Sequence, residues 1–154
     1  MTGVRPVFSL HVAGTPRPQG SKRAFPVQRG GKPGAVLVDA NPSTAQWRAD
    51  VTAAALALPG MPPSEPVTGP LAVRLVFALP RPRSAPRKRR TWPAGRPDID
   101  KLARAVLDSL TAAGVWRDDG QVCALHVIKD YPGPGVAQTI PGVLITVTHI
   151  EEGH

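Results

Sequence analysis

The run Leu71-Ala72-Val73-Arg74-Leu75-Val76-Phe77-Ala78-Leu79 decides the fold class. Its large apolar residues Leu71, Val73, Leu75, Phe77 and Leu79 recur at every second position. That period is the period of a strand with one face on a core. Further along the chain the period changes. Leu102, Val106, Leu110 and Ala113 fall on one stripe of a helix that starts near Asp98 to Asp100 and ends at Gly114. Val115-Trp116 then enters the loop Arg117-Asp118-Asp119-Gly120, and Val122 to Ile128 reads as a strand again. Strand, helix and strand in succession predict an α/β fold.

The flanking sequence extends this unit. Arg5 to Val12 predicts a first strand around Val7, Phe8 and Leu10, and Val143 to Ile150 a final one. Ala24 to Gln28 and Ala35 to Val38, around Gly30-Gly31, predict a hairpin. Asn41-Pro42-Ser43 opens a helix running to about Leu58, because proline needs no amide partner in a first turn. Trp47, Val51, Ala54, Ala55 and Leu58 can share its buried side. Pro59 to Pro70 is a connector too short to be a domain. The prediction is one small α/β domain over residues 1–154, with about five mixed strands packed with two principal helices. A basic, proline-rich loop interrupts it at 80–97.

Composition narrows the function classes. The formal net charge is +8, from 19 lysines and arginines against 11 acidic residues, which favours a polyanionic partner. Charge does not name that partner, since RNA and anionic lipid satisfy it equally. The 19 prolines and 15 glycines lie between periodic apolar segments, so they mark stiff loops in a folded domain, not a disordered chain. Cys123 is the single cysteine, which excludes an intrachain disulfide and a cysteine zinc cluster within one chain. Its neighbours Val122 and Ala124 predict a buried structural thiol. His11, His126, His149 and His154 have no metal-binding spacing, and His126 and His149 are expected on strand faces. No stretch reads as a signal peptide or a membrane span, so a reduced, cytoplasmic location is expected.

The acids carry the chemistry. Asp98 and Asp100 are expected to converge where the helix starts, and Asp118 and Asp119 stand beyond its far end. If the strand after them returns beside Leu71 to Leu79, the two pairs meet. Grouped carboxylates repel one another unless a cation compensates them, and a hard divalent ion takes such oxygens. In a basic protein such an ion would bridge aspartates to a phosphate held by the cationic rim. Each acid also has a plainer account. Asp98 or Asp100 can cap the helix. Asp118-Asp119-Gly120 can be a turn. Asp100, Arg104 and Asp108 have the spacing of a surface ladder of ion pairs.

Taken together, Asp98-x-Asp100, a helix ending at Gly114, and Val115-Trp116-x-Asp118-Asp119-x-Gln121-Val122 resemble the RusA family of Holliday-junction resolvases. The likeness extends more loosely over most of the chain. It implies a homodimeric, metal-dependent endonuclease, bacterial or phage-encoded, that makes paired nicks in four-way DNA junctions. The implied cofactor is magnesium, with manganese as a substitute, and the implied products carry 5′-phosphate and 3′-hydroxyl ends. Motif position assigns Asp98, Asp100 and Asp119 to the metal, with Asp118 as a further acid of that site. Arg104 stands where family members typically have a functional lysine, and Lys101 where asparagine is common. Arginine keeps the charge but is a planar fork of donors, not a compact ammonium.

The cations divide into two sets. Arg104, with Lys101 nearby, is placed to contact the phosphate being cut. Lys22, Arg23, Arg81, Arg83, Arg87, Lys88, Arg89 and Arg90 are expected to hold more distant backbone phosphates, which positions DNA without reading it. Trp116 is expected to pack beside the acidic loop. Two other readings stay open: a broader nuclease for branched DNA, and a basic DNA-binding module whose acids serve only caps, turns and surface pairs.

Overall fold

A computed structural model of the protein describes residues 5–20, 22–39, 42–86, 88–134, 136 and 138–153. For residues 22–25, 27, 29 and 35–39 it describes the backbone alone. Asn41, Arg87 and His154, each part of a sequence expectation, lie outside the described residues.

Four strands form the main sheet: β1 (Arg5–Ala13), β4 (Leu71–Ala78), β5 (Val122–Asp130) and β6 (Gly142–His149), in the order β1-β6-β4-β5. β2 (Lys22–Arg29) and β3 (Lys32–Asp39) make the separate hairpin. α1 (Pro42–Leu56) and α2 (Ile99–Ala112) are the two helices among the described residues. The expected α/β domain is therefore observed, with four strands in one mixed sheet and two more in the hairpin. No helix among the described residues is long and apolar enough to cross a membrane.

Register explains why one face is the core. Val73, Leu75 and Phe77 of β4 lie opposite Val147, Ile145 and Val143 of antiparallel β6, so these side chains share a face. All six are buried, and α1 and α2 cover them with Trp47, Val51, Leu102, Val106 and Leu110. Full burial of a leucine or valine contributes about 1.5–3 kcal/mol, so this stripe fixes α2 against the sheet. The reading of β4 as buried on one face only needs correction at its end. Val76 and Ala78, on the opposite face, are buried too. There the loop after β5 crosses over, and Gln138 donates a 2.7 Å hydrogen bond to the Val76 carbonyl.

β5 runs parallel to β4 and forms the sheet edge. The strand after the second acidic pair thus does return beside Leu71 to Leu79. Its first residues break step: Leu71 pairs with Val122 and Ala72 with Ala124, leaving Cys123 as an extra residue. Such a bulge disrupts the ladder locally, and an edge strand has no neighbour to cover it. Cys123 is exposed, which overturns the expected buried thiol.

Candidate functional site

The end of α2 delivers the second acidic pair. Gly114 has φ of 77°, a left-handed value that strains any residue with a Cβ. Its N–H donates to the Thr111 carbonyl, and the Val115 N–H donates to the Leu110 carbonyl. This is the paired-bond stop of a Schellman motif. It reverses the chain, so that Val115 and Trp116 plug into the core at 1% exposure each. The Trp116 indole N–H donates to the Thr111 hydroxyl at 2.7 Å, in keeping with its expected packing role. Asp118 and Asp119 follow after Arg117, with Asp119–Gln121 coiled into a 3₁₀ turn.

Gln121 holds that turn in place. Its side-chain oxygen accepts from the N–H groups of Arg117 at 3.1 Å and Asp118 at 3.4 Å. Its amide nitrogen donates to the carbonyls of Val67 at 2.9 Å and Gly69 at 3.1 Å. One side chain therefore ties the acidic turn to the segment entering β4. The motif reading included Gln121, but only the fold reveals this clamp, because its partners lie more than 50 residues away.

Asp100, Arg104 and Asp119 line one cleft of about 380 Å³ between α2 and β5. Ile99, Ala103, Leu107, Leu125 and Val127 form its apolar walls. Leu125, on the edge strand β5, is 46% exposed. The Asp119 carboxyl is pushed above its ordinary value. Burial is the largest cause, followed by the hydrogen bond and charge of Asp118 and the charge of Asp108. Asp118 folds its carboxylate over Gly120, where a Cβ would lie 2.8 Å from Oδ2.

Three expectations meet corrections here. Asp98 and Asp100 do not converge: Asp98 lines a separate hollow with Arg17, Arg96 and Lys101, while Asp100 lines the cleft. Neighbours two apart at a helix start point in different directions. Asp98 occupies the N-cap position of α2 but makes no side-chain cap bond, and instead lies 3.8 Å from Lys101. The Asp100-Arg104-Asp108 ladder of ion pairs is absent among the described residues. Asp108 acts on Asp119 instead, a proximity invisible until the loop after Gly114 folds back along the helix.

Among the described residues, no three or more potential ligands of the His, Cys, Asp and Glu types stand close enough to hold a metal. Asp100 and Asp108 are two helical turns apart, about 12 Å along the axis. The cleft therefore runs from Asp100 to an Asp119 that lies by Asp108. Magnesium asks for less than a closed cage, since it keeps water ligands and takes one or two carboxylates plus substrate phosphate. The crowded Asp118–Asp119 pair fits that requirement in donor type and in its excess of negative charge.

Apart from Arg104, the described cations of the basic arm lie by the C-terminal ends of β4 and β5, and not all of them are free. Arg104 is exposed at the cleft and has no ion-pair partner among the described residues. Arg83, Lys88 and Arg89 are exposed. Arg81 donates to the Pro86 carbonyl and stacks 6.0 Å from the Tyr131 ring. Arg90 pairs with Asp130 at 2.7 Å and lies 4.1 Å over the Trp92 ring. Lys22 and Arg23 begin β2, and their side chains are outside the described set. Sequence reasoning missed Lys129. It donates to the carbonyls of Gly95 at 2.7 Å and Pro97 at 2.9 Å, anchoring the end of the basic arm just before Asp98.

The profile of the family described as endodeoxyribonuclease RusA matches residues 14–148. A 34-residue stretch is 50% identical to the crossover junction endodeoxyribonuclease RusA of Escherichia coli K12, and the same holds for the proteins of that name in Escherichia coli O1:K1 and Shigella sonnei. That stretch is 22% of this chain and 28% of each relative, well under two thirds of their length. The family match, in contrast, runs from the end of β1 almost to the end of β6, across both acidic pairs and the helix between them. The chain belongs to the RusA endodeoxyribonuclease family.

Proposed function

We propose that this protein is a magnesium-dependent endonuclease that resolves four-way DNA junctions by paired nicks. The observation that carries the reading is the cleft in which Asp100 and Asp119 face an Arg104 with no ion-pair partner among the described residues, inside a chain of this family. A cationic side chain without a protein partner, beside carboxylates, suits a phosphodiester. The bound ion would supply polarisation of the phosphate and an activated water. The Asp118–Asp119 pair would hold it, with Asp100 further along the same cleft as the acid that faces the bound phosphate and Asp98 at the neighbouring hollow. Arg104 would contact the phosphate being cut, and the exposed cations of the arm would hold flanking phosphates. Products would carry 5′-phosphate and 3′-hydroxyl ends. Two opposed strands must be cut, so a homodimer is part of the proposal, and manganese would substitute for magnesium.

The plainer DNA-binding reading has less support. Asp98 makes no cap bond, and Asp119 is held at an unfavourable proximity to two other acids. The crowding of Asp119 by two other acids is not what a turn or a surface pair needs, although Asp98 does pair with Lys101 at 3.8 Å. The test is cleavage of a defined four-way junction, compared with linear duplex of the same sequence, with and without magnesium. Metal-dependent paired nicks in the junction alone are expected. Equal cutting of other branched substrates would broaden the activity, and binding without cutting would overturn it. Light scattering on the free and junction-bound protein reports the dimer, and monomers in both states would remove that part.

A further inference from the structure

The basic arm carries an aromatic ring that the core does not use. Trp92 is 55% exposed, whereas Trp47 and Trp116 are 2% and 1% exposed. An indole left in water while two others are buried has given up a large apolar burial. It is also not loose. The Arg90 guanidinium covers the ring at 4.1 Å, and Asp130 at the end of β5 grips that guanidinium at 2.7 Å. Pro93, the next residue, is buried, and Lys129 fastens the chain again at Gly95 and Pro97. The ring is thus braced from behind and followed by an anchored segment. Exposed Lys88 and Arg89 precede it.

We propose that Trp92, backed by Arg90, is a stacking platform for a nucleobase whose stack is broken, at the branch point of the bound DNA. This rests on the junction-cutting reading above. Continuous duplex hides the faces of its bases within the stack, whereas a branch point exposes them. A pre-positioned indole can take such a face with little ordering cost, and stacking on an aromatic ring tolerates any base. The arginine on the ring adds a cation whose charge is partly neutralised by Asp130, so it serves the ring's position more than phosphate attraction. Trp92 thereby contributes preference for branched over continuous DNA, a task distinct from that of the arm's free cations.

The protein offers its own reporter, since the other two tryptophans are buried. Wild-type protein in EDTA, which prevents cutting, is titrated with a four-way junction, a linear duplex and an oligo(dT) strand while tryptophan emission is followed. Quenching is expected with junction and single strand, and little with duplex. Trp92→Ala should abolish the quench and weaken junction binding roughly 5- to 100-fold, the loss expected for one stacked base. Its duplex binding should change less than about twofold, and Trp92→Phe should recover most junction binding. Unchanged junction binding, or equal losses on junction and duplex, would overturn the proposal. So would a Trp92→Ala protein whose light scattering shows loss of a dimer, which would make the ring an interface between copies. A wild-type protein that neither binds nor cuts junctions preferentially would instead defeat the junction-cutting reading, an outcome visible before any variant is made.

Discussion

The acidic cleft and the basic arm are held by different means. The cleft's acids sit on regular elements: Asp100 on the first turn of a helix whose other face is fully buried, and Asp119 on a turn locked by Gln121. Among its described residues the arm has no regular element between Leu79 and Pro97, and it is held at a few points by Lys129, Asp130 and Tyr131. On the proposed function, chemistry that needs fixed distances would be carried by the packed part of the molecule, and contacts that need only charge and reach by the tethered part. The contrast predicts that damage in the cleft removes turnover with binding intact, and damage in the arm does the reverse.

The largest expected effect is at Asp100. Asp100→Asn keeps the shape but removes the charge, and cleavage should fall about a hundredfold or more, at least 2.7 kcal/mol on the barrier. Junction affinity should hold or rise, as one negative charge near DNA is lost. Folded Asp100→Asn protein with near-wild-type cleavage would break the comparison at its centre. Lys129→Met probes the link between the two regions. It removes a charged donor from two carbonyls that water can still reach, for which a loss of about 0.5–1.5 kcal/mol in stability is expected by denaturant melting. Cleavage should fall with it, because the segment leading to Asp98 is released. Gly114→Ala forces a Cβ into the left-handed region and should cost about 1–2 kcal/mol, read in the same way.

Neutralising Lys88 and Arg89 should weaken binding to every DNA sequence alike. Each cation that contacts a phosphate should reduce the salt slope by about 0.9. Unchanged slopes would assign both residues to solubility. The smallest effect is a pH effect at Asp119. Its pKa is raised in the folded state, so folding takes up a proton and stability falls as pH rises through the raised value. Asp119→Asn should therefore be slightly more stable than the parent at neutral pH, and this gain should vanish in acid below the ordinary aspartate range. Thermal melts of both proteins across that pH range check the sign.

Most of the fold was legible because the deciding signals are periodic. The alternation in β4 and the stripe of α2 each needed only local sequence and a core to face. The order β1-β6-β4-β5 was not legible, since pairing partners are distant in the chain. Cys123 misled for the same reason: an apolar neighbourhood predicts burial, but a bulge on an edge strand exposes it. At the site, residue types were readable and directions were not. Asp98 and Asp100 look adjacent in sequence yet line different hollows, and Asp108 becomes a neighbour of Asp119 only after the chain reverses at Gly114. Lys129 gave no signal at all, because its partners are backbone carbonyls.

The bulge at Cys123 has one more consequence. It leaves the chain's single thiol in solvent, two residues beyond the Gln121 clamp. A nitroxide or fluorophore attached there requires no other cysteine to be removed first. In a two-fold assembly the two labels report one inter-spin distance, while a lone chain reports none. Changes in that distance on adding a four-arm substrate would follow how the two acidic turns move relative to each other.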